Sequence, residues 1–328
     1  MIRRPPRSTH CISSAASDVY KRQEFVSQVG GEKINLTVLM PPEANPHTYE
    51  PAPQDAGTIA EADLVFYTGL LYEPAALVKL LENSACSTDI LSEVGESVFP
   101  IEFKEGGHDD HDDHDDHDDE EGHDDHDDEE GHDDEEGHDD EEGHDDHEGH
   151  NHGAYDPHFW FDPSRVAYAA EYIESRLIEF DPENESSYKS SADSFVSELN
   201  DLTKQVSELI STVPSQNRKL ITTHESLGYL EAKFGLEVLS TIIPSLNSAN
   251  EISPSDLAGV IDVIEDNNVK VIFIESEAPS VYSETIVAET GIKSVTGLYV
   301  ETLKPGQSYS EFLISNVTLI TENLQDTD

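Results

Sequence analysis

Basic residues are scarce in this sequence: 18 Lys and Arg stand against 71 Asp and Glu, for a formal net charge of −53 at pH 7. Like charge would repel a nucleic-acid backbone or an anionic membrane surface, so neither is expected as a partner and cations are. Cysteine is nearly absent. Cys11 and Cys86 are the only two and form no Cys-x-x-Cys pair, which leaves thiolate metal sites and a disulfide framework without support. No His-Glu-x-x-His element occurs, so the helical signature of one large class of zinc hydrolases is missing. What remains is a chain of 328 residues, long enough for two ordinary domains.

The first 23 residues, MIRRPPRSTHCISSAASDVYKRQ, hold five of the 18 Lys and Arg and no amphipathic period. They also lack the apolar run of about 7 to 15 residues that a secretory signal needs. Their string resembles the translation of a sequencing adapter, so residues 1–23 are set aside here as a non-native artefact. On that reading any signal or lipid anchor has been cut away, and membrane attachment would run only through that missing N-terminal segment.

Beyond it, Ile34-Asn-Leu-Thr-Val-Leu-Met40 alternates like a strand, and Leu64-Val-Phe-Tyr-Thr-Gly69 is an apolar run stopped by glycine, as in a buried parallel strand. Helical spacing falls around Ala60–Ala62 and Pro74–Leu81. The stretch 105–153 is built almost wholly from Asp, Glu, His and Gly. It carries 28 of the 71 acidic residues and no basic one, and it offers no apolar surface to offset the entropy of ordering. It is expected to be a disordered insert.

Folded character resumes after it. Asp162-Pro163 is a helix start, with Asp as N-cap and Pro at the first helical position. A second helix, with Tyr188, Phe195, Leu199, Leu202, Val206 and Leu209 on one face, runs from Glu183 to about Val213, roughly 45 Å at 1.5 Å per residue. That is long enough to span two lobes. From Asn217 onward strand and helix alternate, with strands at 219–224, 236–243, 269–274 and 294–299, which predicts a right-handed parallel α/β sheet.

The histidines are the most informative residues. Of 16, one is His10 and twelve lie between His108 and His152, so only His47, His158 and His224 remain in the folded part. Each stands near an element end: His47 in Asn45-Pro46-His47-Thr48-Tyr49-Glu50, His158 just before the helix that Asp162 caps, and His224 at the end of its strand. Ligands in open α/β sheets sit outside the carboxyl ends of strands. A single such histidine is more often a satisfied polar group than a ligand, but three together on a chain rich in cation-attracting residues point to one transition-metal site. A neutral imidazole is the commonest zinc ligand. Binding needs that neutral form, so affinity is expected to fall as pH drops through about 6.5. The fourth ligand is not set by this count, because a chain with 71 acidic residues offers too many carboxylates to choose one by composition.

These motifs, with Asp156-Pro157-His158-Phe159-Trp160, Thr223-His224-Glu225-Ser226-Leu227-Gly228-Tyr229 and a carboxylate after Leu298-Tyr299-Val300, resemble the zinc/manganese solute-binding proteins of ABC transporters, the cluster A-I family. The resemblance runs from about Glu24 to the C-terminus. It implies an α/β fold of two Rossmann-like lobes joined by one long rigid helix, with the metal between the lobes. The N-terminal lobe would be 24–182, the linker helix 183–213 and the C-terminal lobe 214–328. It implies His47, His158, His224 and Glu301 as metal ligands, the last where the family usually has Asp, so that Glu50, Glu225, Glu275 or a water stay open for the fourth position.

The resemblance further implies an extracytoplasmic monomer that delivers a divalent metal ion to an ABC-transporter permease. Three imidazoles and one oxygen favour Zn²⁺ over Mn²⁺. The insert reads as a weak multivalent metal collector or, more blandly, as a solvated low-complexity loop. Alternatives from other classes are a surface zinc-storage or adhesin-like protein and, with three ligands and an open position, a zinc hydrolase in which Glu225 serves as base.

Overall fold

Strand runs that alternate with helices in the sequence assemble into two four-stranded parallel sheets. The computed structural model describes residues 15–17, 20–41, 44–103, 155–247, 252–276 and 281–325. The acidic insert and its expected disorder lie outside these residues, as do residues 1–14. The first sheet is built from β1 (Ala15–Ser17), β2 (Leu36–Val38), β3 (Leu64–Tyr67) and β4 (Leu91–Glu93), in the order β2-β1-β3-β4. Helices α1 (Tyr20–Gly30), α2 (Pro53–Glu61) and α3 (Ala75–Ser84) make its connections.

The structure builds part of the segment that the sequence reading sets aside. With residues 1–23 set aside, this sheet is a strand short. In the fold Ala15–Ser17 lies at its centre, pairing parallel with Leu36–Val38 on one side and Leu64–Phe66 on the other, and α1 begins at Tyr20. The physical reason is hydrogen bonding. Without a strand between them, β2 and β3 would each leave a row of backbone N–H and C=O groups unpaired.

Two helices then carry the chain across. In α4 (Pro163–Phe180) the side chain of Asp162 accepts a hydrogen bond from the Ser164 N–H at 2.9 Å, the cap the sequence predicts. The long helix α5 spans Glu185–Ser211, 27 residues or about 40 Å, with Pro182–Asn184 as a 3₁₀ turn before it. Tyr188, Ala192, Phe195, Leu199, Leu202, Val206 and Ile210 form its buried stripe, and it packs on α1 and α4. Phe195 meets Phe25 of α1 with ring centroids 6.2 Å apart.

The second sheet contains β5 (Lys219–His224), β6 (Glu237–Ile243), β7 (Val271–Glu275) and β8 (Lys293–Leu298), in the order β6-β5-β7-β8. Its helices are α6 (Gly228–Phe234), α7 (Pro254–Asn267), α8 (Val281–Thr290) and α9 (Tyr309–Gln325), and α9 packs on α5. Strand β7 is buried on both faces. Val271 and Phe273 join a core that runs back through α5 and α9 to the first sheet, whereas Ile272 and Ile274 join a second cluster with Val260, Ile264 and Ile286. Side chains alternate at period two along a strand, so one apolar run feeds two cores. Both sheets share one strand order, in which the chain reverses direction beside the first strand. That reversal opens a crevice at the carboxyl ends of the strands, where the candidate site lies.

Candidate metal centre

His224 is the last residue of β5, and Glu275 is the last of β7, its neighbour in the sheet. Glu301 follows β8 by three residues, and His47 lies in the loop after β2. His158 stands just before a 3₁₀ turn, Phe159–Phe161, that leads into α4. Strand ends, the loops that follow them and the turn before α4 therefore deliver the side chains the sequence singles out.

His47, His158, His224 and Glu301 converge so that one ligand atom from each lies within 4.8 Å of all the others. The Oε1 atom of Glu301 is 3.2 Å from Nε2 of His47, 3.5 Å from Nε2 of His158 and 3.1 Å from Nε2 of His224. The Nε2 atoms of His158 and His224 are 3.3 Å apart. His158, His224 and Glu301 are fully buried, and the His47 side chain is 3% exposed. Two ring nitrogens facing each other at hydrogen-bond distance cannot both be neutral donors, and a shared cation is what such a convergence accommodates.

Each histidine is aimed from behind. Nδ1 of His158 lies 2.8 Å from Oδ1 of Asp156, and that oxygen also accepts the His158 backbone N–H at 2.8 Å. Nδ1 of His224 lies 2.6 Å from Oε2 of Glu275, whose other oxygen accepts the His224 N–H at 3.1 Å. A carboxylate on Nδ1 fixes the tautomer, leaves Nε2 for a metal and raises the ring's basicity. His47 is set by its turn: its backbone N–H donates to the Asn45 side chain at 2.9 Å, an Asx turn stiffened by Pro46.

Glu301 is held at its second oxygen, where the Tyr72 hydroxyl donates to Oε2 at 2.7 Å. Tyr72 reaches this place from a loop with three successive left-handed residues, Gly69, Leu70 and Leu71, at φ 72, 53 and 61°. The two leucines there cost about 1–3 kcal/mol each, and buried carboxylate contacts offset the strain. Glu73 accepts from the backbone N–H groups of Thr68 and Gly69 at 2.7 and 2.9 Å, and Glu93 accepts from that of Leu70 at 3.1 Å. Trp160 ties the two parts of the site together. Its indole N–H donates to the Val300 carbonyl at 3.1 Å, and its own carbonyl accepts the Tyr309 hydroxyl at 2.8 Å.

The electrostatics follow from this arrangement. Burial opposes charge on His158, but hydrogen bonds to Asp156 and Glu301 outweigh it and raise its pKa. Burial likewise opposes charge on His224, and the Glu275 and Glu301 carboxylates still push its pKa up to about 10. Burial alone would raise Glu301; the charge of His47 and the hydrogen bonds of the three imidazoles hold it well below the usual carboxylate range. The site is thus built to stabilise positive charge next to one anionic oxygen.

Among the fourth-ligand candidates, Glu301 lies with the histidines, Glu275 stands behind His224, Glu225 accepts the Thr241 hydroxyl at 3.0 Å and Glu50 is exposed. Sequence reasoning missed Asp156 and Tyr72 as parts of the site. The Asp-Pro-His spacing was a signal for Asp156; nothing local marks Tyr72, which reaches Glu301 across 229 residues.

Two parallel-sheet lobes joined by a long helix, with three buried imidazoles and a carboxylate gathered from both, define a solute-binding protein for a metal cation. The chain belongs to the ZnuA family, zinc-uptake complex component A, periplasmic, whose family model matches residues 18–323. The high-affinity zinc uptake system protein ZnuA of Bacillus subtilis (strain 168) is 26% identical over 315 residues, covering 93% of this chain and 85% of that protein. The manganese ABC transporter substrate-binding lipoprotein scaA of Streptococcus gordonii is 24% identical over 310 residues, covering 92% and 85%. Among solved structures, the periplasmic zinc binding protein TroA from Treponema pallidum shares the fold with a TM-score of 0.75 at 18% identity, covering 95% of this chain and 99% of that one. With relatives named for zinc and for manganese, the family membership establishes a metal-binding component of an ABC transporter.

Proposed function

We propose that this protein captures Zn²⁺ outside the cytoplasm on Nε2 of His47, His158 and His224 and on Oε1 of Glu301, and delivers it as a monomer to the permease of an ATP-driven importer. The observation that carries this reading is the convergence of those four donors within 4.8 Å. Three nitrogens and one oxygen suit a four-coordinate, borderline-soft ion, whereas Mn²⁺ favours oxygen-rich, higher-coordinate sites. Tyr72 strengthens the case, because a hydroxyl on Oε2 leaves Glu301 one oxygen to offer. The family's periplasmic description and its lipoprotein relatives support an extracytoplasmic location. Four protein donors leave no position open for a substrate or an activated water, which favours carriage over hydrolysis. The twelve histidines between His108 and His152 would act as weak additional metal sites on the same chain.

Metal analysis and competition titrations on tag-free protein test this, with and without residues 107–152. One tight site that prefers Zn²⁺ to Mn²⁺, abolished by His224→Ala and retained without the insert, is the expected result. Tighter retention of Mn²⁺, or tight Zn²⁺ binding that survives His224→Ala, would overturn it.

A further inference from the structure

Tyr229 lies in α6 of the second sheet's lobe, is buried, and is not one of the four metal-facing side chains. Its hydroxyl oxygen accepts the backbone N–H of Ile101 at 3.2 Å, and its O–H donates to the backbone carbonyl of Asp156 at 2.8 Å. Those two residues are the roots of the segment that holds the insert. The Asp156 N–H donates to the Ile101 carbonyl at 3.0 Å, and Glu102 pairs antiparallel with Tyr155. Asp156 is also the residue whose carboxylate holds both the N–H and Nδ1 of His158, each at 2.8 Å.

Gly228, the neighbour of Tyr229, fits the same contact. A Cβ there would stand 2.7 Å from Oδ2 of Asp156 and 3.4 Å from Cδ1 of Ile101. One hydroxyl and one missing side chain on α6 therefore shape the place that Asp156 occupies.

We propose that Tyr229 is a positioning residue for the metal site: by bridging Ile101 and Asp156 it latches the two stems of the insert to the lobe that carries His224, and so keeps the Asp156 carboxylate on Nδ1 of His158. Loss of the hydroxyl leaves a half-buried N–H and a buried carbonyl without that partner, a cost relieved if the stem moves. Asp156 moves with it. Outer carboxylates that orient a metal-bound histidine influence affinity by about 10- to 100-fold, and the latch acts through one of them.

This inference rests on the metal-carrier reading above. The test is release of Zn²⁺ from the full-length loaded protein into excess chelator by stopped flow, with Co²⁺ absorption as a second readout. Tyr229→Phe should speed release roughly tenfold and shift the Co²⁺ bands, and both effects should vanish when it is made in an Asp156→Ala background. A purely structural role would lower the unfolding temperature and leave the Co²⁺ bands in place. Gly228→Ala, which pushes on Asp156 directly, should reproduce the faster release and lose it in the same background, and it serves should Tyr229→Phe fail to fold. Unchanged release in the folded variants, or acceleration that persists without the Asp156 carboxylate, would overturn the latch. A wild-type protein that retains no metal would instead overturn the carrier reading.

Discussion

The carboxylates behind and beside His158 and His224 strengthen the hold of both rings on a proton in the metal-free site, raising the pKa of His158 and pushing that of His224 up to about 10. A metal binds only the neutral ring, so zinc must displace those protons. Calorimetry near pH 7.5 in buffers of different ionisation enthalpy should show net proton release on Zn²⁺ binding, and affinity should keep rising with pH through the range up to the His224 value of about 10. Binding without net proton release would count against ligation by these two imidazoles. The sequence alone sets that transition at the reference value of about 6.5, because it names the histidines but not their neighbours. Three of the four converging residues were legible as the histidines left over in the folded part. Glu301 was legible only through resemblance, since a chain with 71 acidic residues offers no way to choose one carboxylate by composition.

At the scale of elements, the strongest local signals were those with a complete physical mechanism. Asp162-Pro163 is a cap followed by a proline with its φ preset, and α4 starts at Pro163. Asp162 also accepts the Ser164 hydroxyl at 2.6 Å. Asp162→Ala should therefore cost about 0.5–2 kcal/mol, read as a lower urea midpoint with an unchanged slope; an unshifted midpoint would show that the cap contributes nothing. Strand β5 matches its sequence expectation at both ends, because Lys219–His224 is long enough to show an apolar run and a stop. Strands β1 and β4 were not legible. Each has three residues, too few to display a period, and each exists because a neighbouring strand supplies its hydrogen bonds.

On the scale of the whole molecule, the charges that prepare the site also link it to stability. A histidine whose folded pKa is raised stabilises the fold fully below its unfolded value of about 6.5 and progressively less as pH climbs to its folded value. For His224 that window closes at about 10, and His158 shifts in the same direction. Glu301, lowered by its imidazoles, stabilises the fold above its unfolded value and loses that effect only as pH falls through its depressed folded value. The unfolding temperature of metal-free protein should accordingly decline from pH 6.5 toward 10, while saturating Zn²⁺ raises it by a margin that grows over the same range. A margin that stays flat with pH would mean that zinc does not replace protons at this site.

What the sequence determined by itself was whatever acts over a few residues or through composition: the preference for cations, the alternation of strand and helix after Asn217, the long apolar-striped helix, the α4 cap and the three histidines worth attention. Only the tertiary structure decided the rest. It placed Ala15–Ser17 in the middle of the first sheet, selected Glu301 among many carboxylates and set Asp156, Glu275 and Tyr72 around the ligand atoms. The physical reason is range. Periodicity and capping are fixed by neighbours along the chain, whereas a strand's partner or a ring's pKa is fixed by groups that come close only when two lobes fold around a common site.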